Sequence, residues 1–271
     1  MARVHEVSFP GERGDAVPAW LVAPDAGGPH AGLLFRHWGF GTRDSFRAEA
    51  EALARSGVVS LLVDAPGYGA RKGPRPLFRA AGPARAYAEQ AVADLRRGLA
   101  RLLAEGVDPA RLGFVGHSLG ASVGGLFAGA EPRLRAAVLM GGTGRISRLW
   151  LPRAGAAERQ ALEPLDAVAW IGRSRAACLF QYAERDEFIA RADAEAYAAA
   201  APEPKRVLWY ATDHAFDAAA RRDRAHFLCE QLGLGPLDEP ALAAVRLPAR
   251  ERWGYRLIQP LLRFAPRPEA G

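Results

Sequence analysis

The stretch Gly116-His117-Ser118-Leu119-Gly120 matches Gly-x-Ser-x-Gly. That spacing suits a serine nucleophile exposed on a sharp strand-to-helix turn. Side chains at the two glycine positions would collide with neighbouring backbone, so the chemistry requires glycine there. The motif alone is a weak signal. With 29 glycines among 271 residues such matches arise by chance, and Gly120-Ala121-Ser122-Val123-Gly124 overlaps the first as a second match. Context separates them. Ser118 directly follows the apolar run at 111–116 (RLGFVG) and opens a helix rich in small residues over 118–130. Ser122 falls inside that helix, where a hydroxyl bonds a backbone carbonyl or packs.

A serine hydroxyl is a weak nucleophile without a base to take its proton. Six histidines are available. His5 and His30 lie early in the chain, His37 ends a strand, His117 is the variable residue of the motif, and His226 is expected on the surface of the last core helix. His214 sits in the loop 211–216 (ATDHAF), between the last core strand and that helix, and is the expected base. A third group must orient the imidazole and stabilise its charged form. Asp186 follows the strand at 176–182 and so reaches the same sheet edge. Glu184 and Glu187 are its nearest rivals, and Asp213 adjoins the histidine, but an adjacent residue points away from its neighbour too often to be the first choice. Ser118, Asp186 and His214 together imply acyl transfer, with ester hydrolysis through an acyl-enzyme as the expected reaction and a small acyl compound as the substrate. Thioester or peptide-type hydrolysis would use the same groups, and a non-catalytic binding protein is the contrasting class. Trp38, Tyr68, Trp150, Phe188 and Phe216 occupy or adjoin site-facing loops and are expected to line an apolar substrate pocket.

These residues need a scaffold that brings strand ends together. Short, continuous apolar runs at 31–37, 58–64, 111–116, 135–140, 176–182 and 205–210 read as strands. Helical patterns separate them, at 42–56, 83–105, 118–130, 189–201 and 217–232. Alternation of this kind predicts an α/β fold, a doubly wound and mostly parallel sheet with helices on both faces. Sites in such sheets lie at the carboxyl ends of the strands. One domain over 1–235 is expected, with 144–169 as a small lid and 236–271 as a C-terminal extension. The extension carries Trp253, Tyr255, Leu257, Ile258, Leu261, Leu262 and Phe264, enough apolar surface to dock on the domain or to form an oligomer contact.

Composition narrows the alternatives. The chain is 49% hydrophobic and 24% charged, an ordinary globular balance. Its net charge is +6, but Lys72 and Lys205 are the only lysines and the arginines are scattered among acids. No block of like charge marks a nucleic-acid partner. Cys178 and Cys229 sit in apolar stretches without metal-ligand spacing, so free thiols and no metal or organic cofactor are expected. The first ten residues lack the apolar core of a signal peptide, and no apolar run approaches the ~20 residues of a membrane span. Cytoplasmic location without stable membrane insertion is the resulting expectation.

Taken as an ordered set, His37-Trp38-Gly39-Phe40, Asp64-Ala65-Pro66-Gly67-Tyr68-Gly69, Val107-Asp108-Pro109-Ala110-Arg111-Leu112 leading into GFVGHSLG, and the acid and histidine loops resemble the α/β-hydrolase superfamily over about residues 15–232. The sequence looks most like its dienelactone hydrolase and small esterase/peptidase-like branch. The resemblance implies a triad in the chain order serine, acid, histidine. It also implies an oxyanion hole of two backbone N–H groups, one from Leu119 and one from Phe40, with Trp38 as the alternative. The dienelactone hydrolases use a cysteine nucleophile where this chain has Ser118, so a dienelactone substrate is not implied.

Overall fold

Eight strands form one sheet: β1 (Ala2–Pro10), β2 (Ala16–Pro24), β3 (Ala31–Arg36), β4 (Val58–Val63), β5 (Leu112–His117), β6 (Ala136–Met140), β7 (Ala177–Ala183) and β8 (Lys205–Tyr210). Their spatial order is β1-β2-β4-β3-β5-β6-β7-β8. From β4 to β8 every neighbouring pair is parallel, and β1 and β2 join antiparallel at one edge. The computed structural model describes residues 2–25, 27–71, 73, 75 and 78–262, with side chains described as far as residue 260. Of the apolar residues assigned to the C-terminal extension, the side chains of Leu261 and Leu262 and all of Phe264 lie outside the described residues.

The helices are α1 (Arg47–Ala54), α2 (Ala81–Leu103), α3 (Leu119–Ala130), α4 (Ile146–Leu149), α5 (Ala156–Leu162), α6 (Arg191–Ala200), α7 (Ala218–Leu232), α8 (Glu239–Ala244) and α9 (Ala249–Leu262). Helices α2, α3 and α6 pack on one face of the sheet, around Leu34, Phe114 and Phe180. Helices α1 and α7 pack on the other, around Leu33, Phe35 and Val115. Strand side chains alternate between faces, and both faces are covered, so β3 to β7 are buried throughout. Among the described residues no helix is long and apolar enough to cross a membrane.

Strands β1 and β2 are absent from the sequence expectation. Strand β1 carries Arg3, His5 and Glu6 and is largely exposed, and β2 contains Pro18. Strand β1 is the edge, and charge is how an edge is protected from further pairing, at the cost of the apolar run that marks a buried strand; β2 lies between β1 and β4, with Pro18 interrupting its run.

The topology puts the site where it is needed. The chain steps from β3 outward to β4 and then back across β3 to β5. Arg36 and Gly116 form the last paired positions of β3 and β5. The loop after β3 and the turn after β5 therefore leave the sheet side by side, at the point where the direction of winding reverses.

Segment 144–169 folds as α4, α5 and short 3-10 turns. Its residues Ile146, Trp150, Leu162 and Leu165 join the core on the α2 and α3 face. Asp166 ties the segment together: Ser147 donates from its backbone N at 2.8 Å and from its Oγ at 2.6 Å. Burial pushes the Asp166 carboxyl up from 3.8 to about 6, against the pull of the Ser147 bonds. The folded chain thus keeps a proton that the unfolded chain has released, and stability falls as pH rises through that window. Asp166→Asn keeps an acceptor for Ser147 N and cannot ionise. Its stability relative to wild type should rise by a few kcal/mol, in order of magnitude, between pH 4 and pH 7. Urea unfolding of both proteins across that range measures the difference.

Candidate active site

Ser118 lies at the junction of β5 and α3 with φ 53 and ψ −110, a left-handed conformation that a non-glycine residue adopts only when its surroundings impose it. The imposing contacts are on either side. A Cβ on Gly116 would stand 2.6 Å from the carbonyl carbon and oxygen of Gly120, and one on Gly120 would run into the Arg36 carbonyl. Two bare backbones can therefore pass at close range, which brings the start of α3 against the end of β3. Ser118 N donates to Met140 O at 2.7 Å, locking the turn to β6. Ser122, the second motif match, is fully buried. Its Oγ donates to Ser118 O at 3.1 Å and accepts from Thr143 N at 3.0 Å.

Asp186 and His214 meet directly. The imidazole Nδ1 lies 2.8 Å from Asp186 Oδ2, with both side chains buried. The other carboxylate oxygen, Oδ1, accepts from Phe188 N at 2.8 Å and Ile189 N at 3.0 Å. An ionised carboxylate only accepts, so Nδ1 carries the proton and Nε2 is left with its lone pair free. The imidazole adjoins the elbow through Gly141, where a Cβ would be 3.2 Å from His214 Cε1, one residue beyond the Met140 carbonyl that holds Ser118. Among the described residues no hydrogen bond joins Ser118 Oγ to His214. The rival acids are engaged elsewhere or exposed. Glu184 faces solvent, Glu187 accepts from Tyr255 and Gln259, and Asp213 accepts from Ala215 N and Gln259.

Two further histidines hold the site, and the sequence reading missed both roles. His117 Nε2–H donates to the His214 carbonyl at 2.8 Å, and its ring stacks on Trp38 at 5.1 Å. Burial, followed by the neighbouring His214, holds the His117 pKa well below its ordinary value, so it stays neutral. His37 accepts from Ala65 N at Nε2 and donates from Nδ1 to Trp38 O at 2.7 Å. Burial drives its pKa down to about 3. It therefore fixes the peptide that leads into Gly39 and Phe40. Neither role carries a sequence signal, because each depends on a backbone group contributed by another loop.

A pocket of about 180 Å³ opens beside Ser118, lined by Gly39, Phe40, Tyr68, Leu119, Leu149, Trp150 and Phe188. Leu149 was not foreseen; it arrives with Trp150 from the 144–169 segment. Two residues expected in the wall lie elsewhere. Trp38 is fully buried, its indole turned onto His117 and donating to Glu251 Oε2 at 2.7 Å. Phe216 packs edge-on against His117 and faces a separate cleft of about 360 Å³ beside Tyr255 and Arg252. Another cavity, of about 350 Å³, lies between Arg71 and Tyr87, away from Ser118. Among the described residues no cluster of three or more His, Cys, Asp or Glu side chains is placed to hold a metal ion. Both cysteines are free thiols.

A family model described as "Alpha/beta hydrolase family" matches residues 13–267. No curated protein matches the chain. An acetyl xylan esterase from Paenibacillus sp. R4 superposes with a TM-score of 0.70 at 21% identity, covering 85% of this chain and 89% of its own. A Klebsiella pneumoniae protein designated a dienelactone hydrolase superposes at 0.65 and 22% identity, over 86% of this chain and 99% of its own. A puromycin-hydrolyzing peptidase from Mycobacterium tuberculosis gives 0.70 at 20% identity, over 87% of this chain but only 40% of its own. At such identities the likeness is one of fold.

Proposed function

From its place in the alpha/beta hydrolase family, to which the chain belongs, we propose that it is a serine hydrolase cleaving carboxylic esters through an acyl-enzyme. The observation that carries this reading is the 2.8 Å bond from His214 Nδ1 to Asp186, adjacent to a serine held at φ 53. Ser118 Oγ attacks the ester carbonyl while His214 Nε2 accepts its proton. The imidazolium that forms is stabilised by Asp186. The oxygen that gains charge is held by the backbone N–H groups of Leu119 and Phe40, each such donor being typically worth about 10²–10³ in rate. His214 gives its proton to the departing alkoxide, then draws a proton from water, which releases the acid and regenerates Ser118. A fluorophosphonate probe, which reports an activated serine, should label the protein at Ser118 and nowhere else, as read by peptide mass spectrometry. Labelling elsewhere, or none, would remove this reading.

The pocket supports a substrate class. Among the described residues its walls are mostly aromatic and aliphatic, and no charged side chain lines it. Its volume is below the ~300 Å³ at which drug-sized ligands are usually enclosed. A short, uncharged acyl group fits such a space, with the alcohol portion left outside. Each added methylene contributes about 0.8 kcal/mol while it remains buried and nothing once the space is full. Across a p-nitrophenyl ester series, kcat/KM should peak between acetyl and butyryl and fall about tenfold or more by octanoyl. A maximum at long chains, or at an acyl group bearing a carboxylate, would contradict it.

A further inference from the structure

Helix α9 presents an unusual face to the rest of the protein. Glu251, Tyr255 and Gln259 recur every four residues and therefore share one side of the helix. Glu251 and Tyr255 are buried and Gln259 is half-buried, whereas Trp253 is 61% and Leu257 74% exposed on the other side. A helix that merely covered apolar surface would turn its tryptophan and leucine inward. This one turns three hydrogen-bonding side chains inward instead, and each reaches a loop of the candidate site.

Glu251 Oε2 accepts from Trp38 Nε1 and from Ser45 Oγ, both at 2.7 Å, so it grips the loop that follows β3. Tyr255 lies edge-on to Trp38 at 5.4 Å and against Phe40 at 6.0 Å. Its hydroxyl donates to Glu187 Oε2 at 2.7 Å, immediately beside Asp186. Gln259 Nε2 donates to Glu187 Oε1 at 2.8 Å and to Asp213 Oδ2 at 3.0 Å, immediately beside His214. Gln259 thus bridges two carboxylates with a neutral group that holds their loops together without adding charge.

We infer that α9 is a strap that sets the three loops of the site in register, with Glu251, Tyr255 and Gln259 as positioning residues. They touch no reacting atom. They act through Phe40, Asp186 and His214, and small displacements of such groups are costly in rate. The inference rests on the reading of Ser118, Asp186 and His214 given above.

The test uses the full chain with Tyr255→Phe, Gln259→Leu, Glu251→Ala and Glu251→Gln. Three quantities are measured on each: thermal melting, kcat and KM on p-nitrophenyl butyrate, and the far-downfield proton resonance of the His214 Nδ1–H···Asp186 bond. Tyr255→Phe and Gln259→Leu should each remain folded, lower kcat about tenfold with KM within about twofold, and shift or broaden that resonance. Glu251→Gln, which keeps an acceptor for Trp38 and Ser45, should recover most of what Glu251→Ala loses. Variants that keep wild-type kcat and an unchanged resonance would overturn the strap. So would activity losses that merely track the melting temperature. If the wild type turns over no ester, the esterase reading fails, while the resonance still decides whether α9 positions the Asp186–His214 pair.

Discussion

Ser118→Ala should lower turnover of p-nitrophenyl butyrate by about 10⁴-fold or more, the scale at which loss of a serine nucleophile is felt. It should leave the melting temperature essentially unchanged. The substitution removes only Oγ, which among the described residues makes no hydrogen bond and lines the pocket. The bonds that hold the turn are to backbone: Ser118 N to Met140 O, and Ser122 N to Ser118 O. Alanine and serine bear similar strain at φ 53, since both carry a Cβ. What activity remains would come from water attacking a carbonyl still polarised by Leu119 and Phe40. Ser122→Ala should show the opposite pattern. Ser122 Oγ satisfies the buried Thr143 N–H, so its loss costs about 1–3 kcal/mol of stability with a far smaller effect on rate. Melting curves and initial rates for the two variants separate the serine of the elbow from the serine of the helix, which an identical five-residue pattern does not.

What could be read in advance follows burial. Strands with covers on both faces announce themselves as apolar runs, and the fully buried Val58–Val63 begins where the sequence pattern does and ends one residue before it. The elbow was legible because its glycines answer to contacts within the motif and with the adjacent strand end. The helix at its far side was legible because Gly124 and its small neighbours allow close packing on Phe114. Edge strand β1 was hidden by the charges that protect an edge, and β2 by the proline that interrupts its run. The direction in which an aromatic turns was hidden too. Trp38 and Phe40 are two residues apart on the same loop, yet one lies over His117 and the other lines the pocket. The strap was the least legible part, since Glu251 finds Trp38 across 213 residues of chain. Isolated polar residues four apart on a helix ordinarily indicate a solvated face, and only the tertiary contacts reverse that meaning.

Asp186→Asn should reduce kcat by about 10⁴-fold, as the same change does where an acid orients a catalytic histidine. The local geometry gives the reason. Asp186 Oδ1 is committed to two backbone donors, Phe188 N and Ile189 N. An asparagine at 186 would keep its amide oxygen there, because turning it over would aim N–H groups at N–H groups. Its Nδ2 would then face His214 Nδ1 at the position of the present 2.8 Å bond. A donor at that place forces Nδ1 to accept and moves the imidazole proton to Nε2. The nitrogen proposed to serve Ser118 could no longer take its proton. The ring itself would stay in position, held through His117 to the His214 carbonyl and packed under Phe188 at 4.7 Å. Stability should therefore change little while the rate collapses, and the far-downfield Nδ1 proton resonance should disappear. Glu184→Gln should leave the rate near wild type, since Glu184 faces solvent. Steady-state kinetics and proton spectra of these two variants identify the acid, and an Asp186→Asn protein that retained wild-type kcat would assign that role elsewhere.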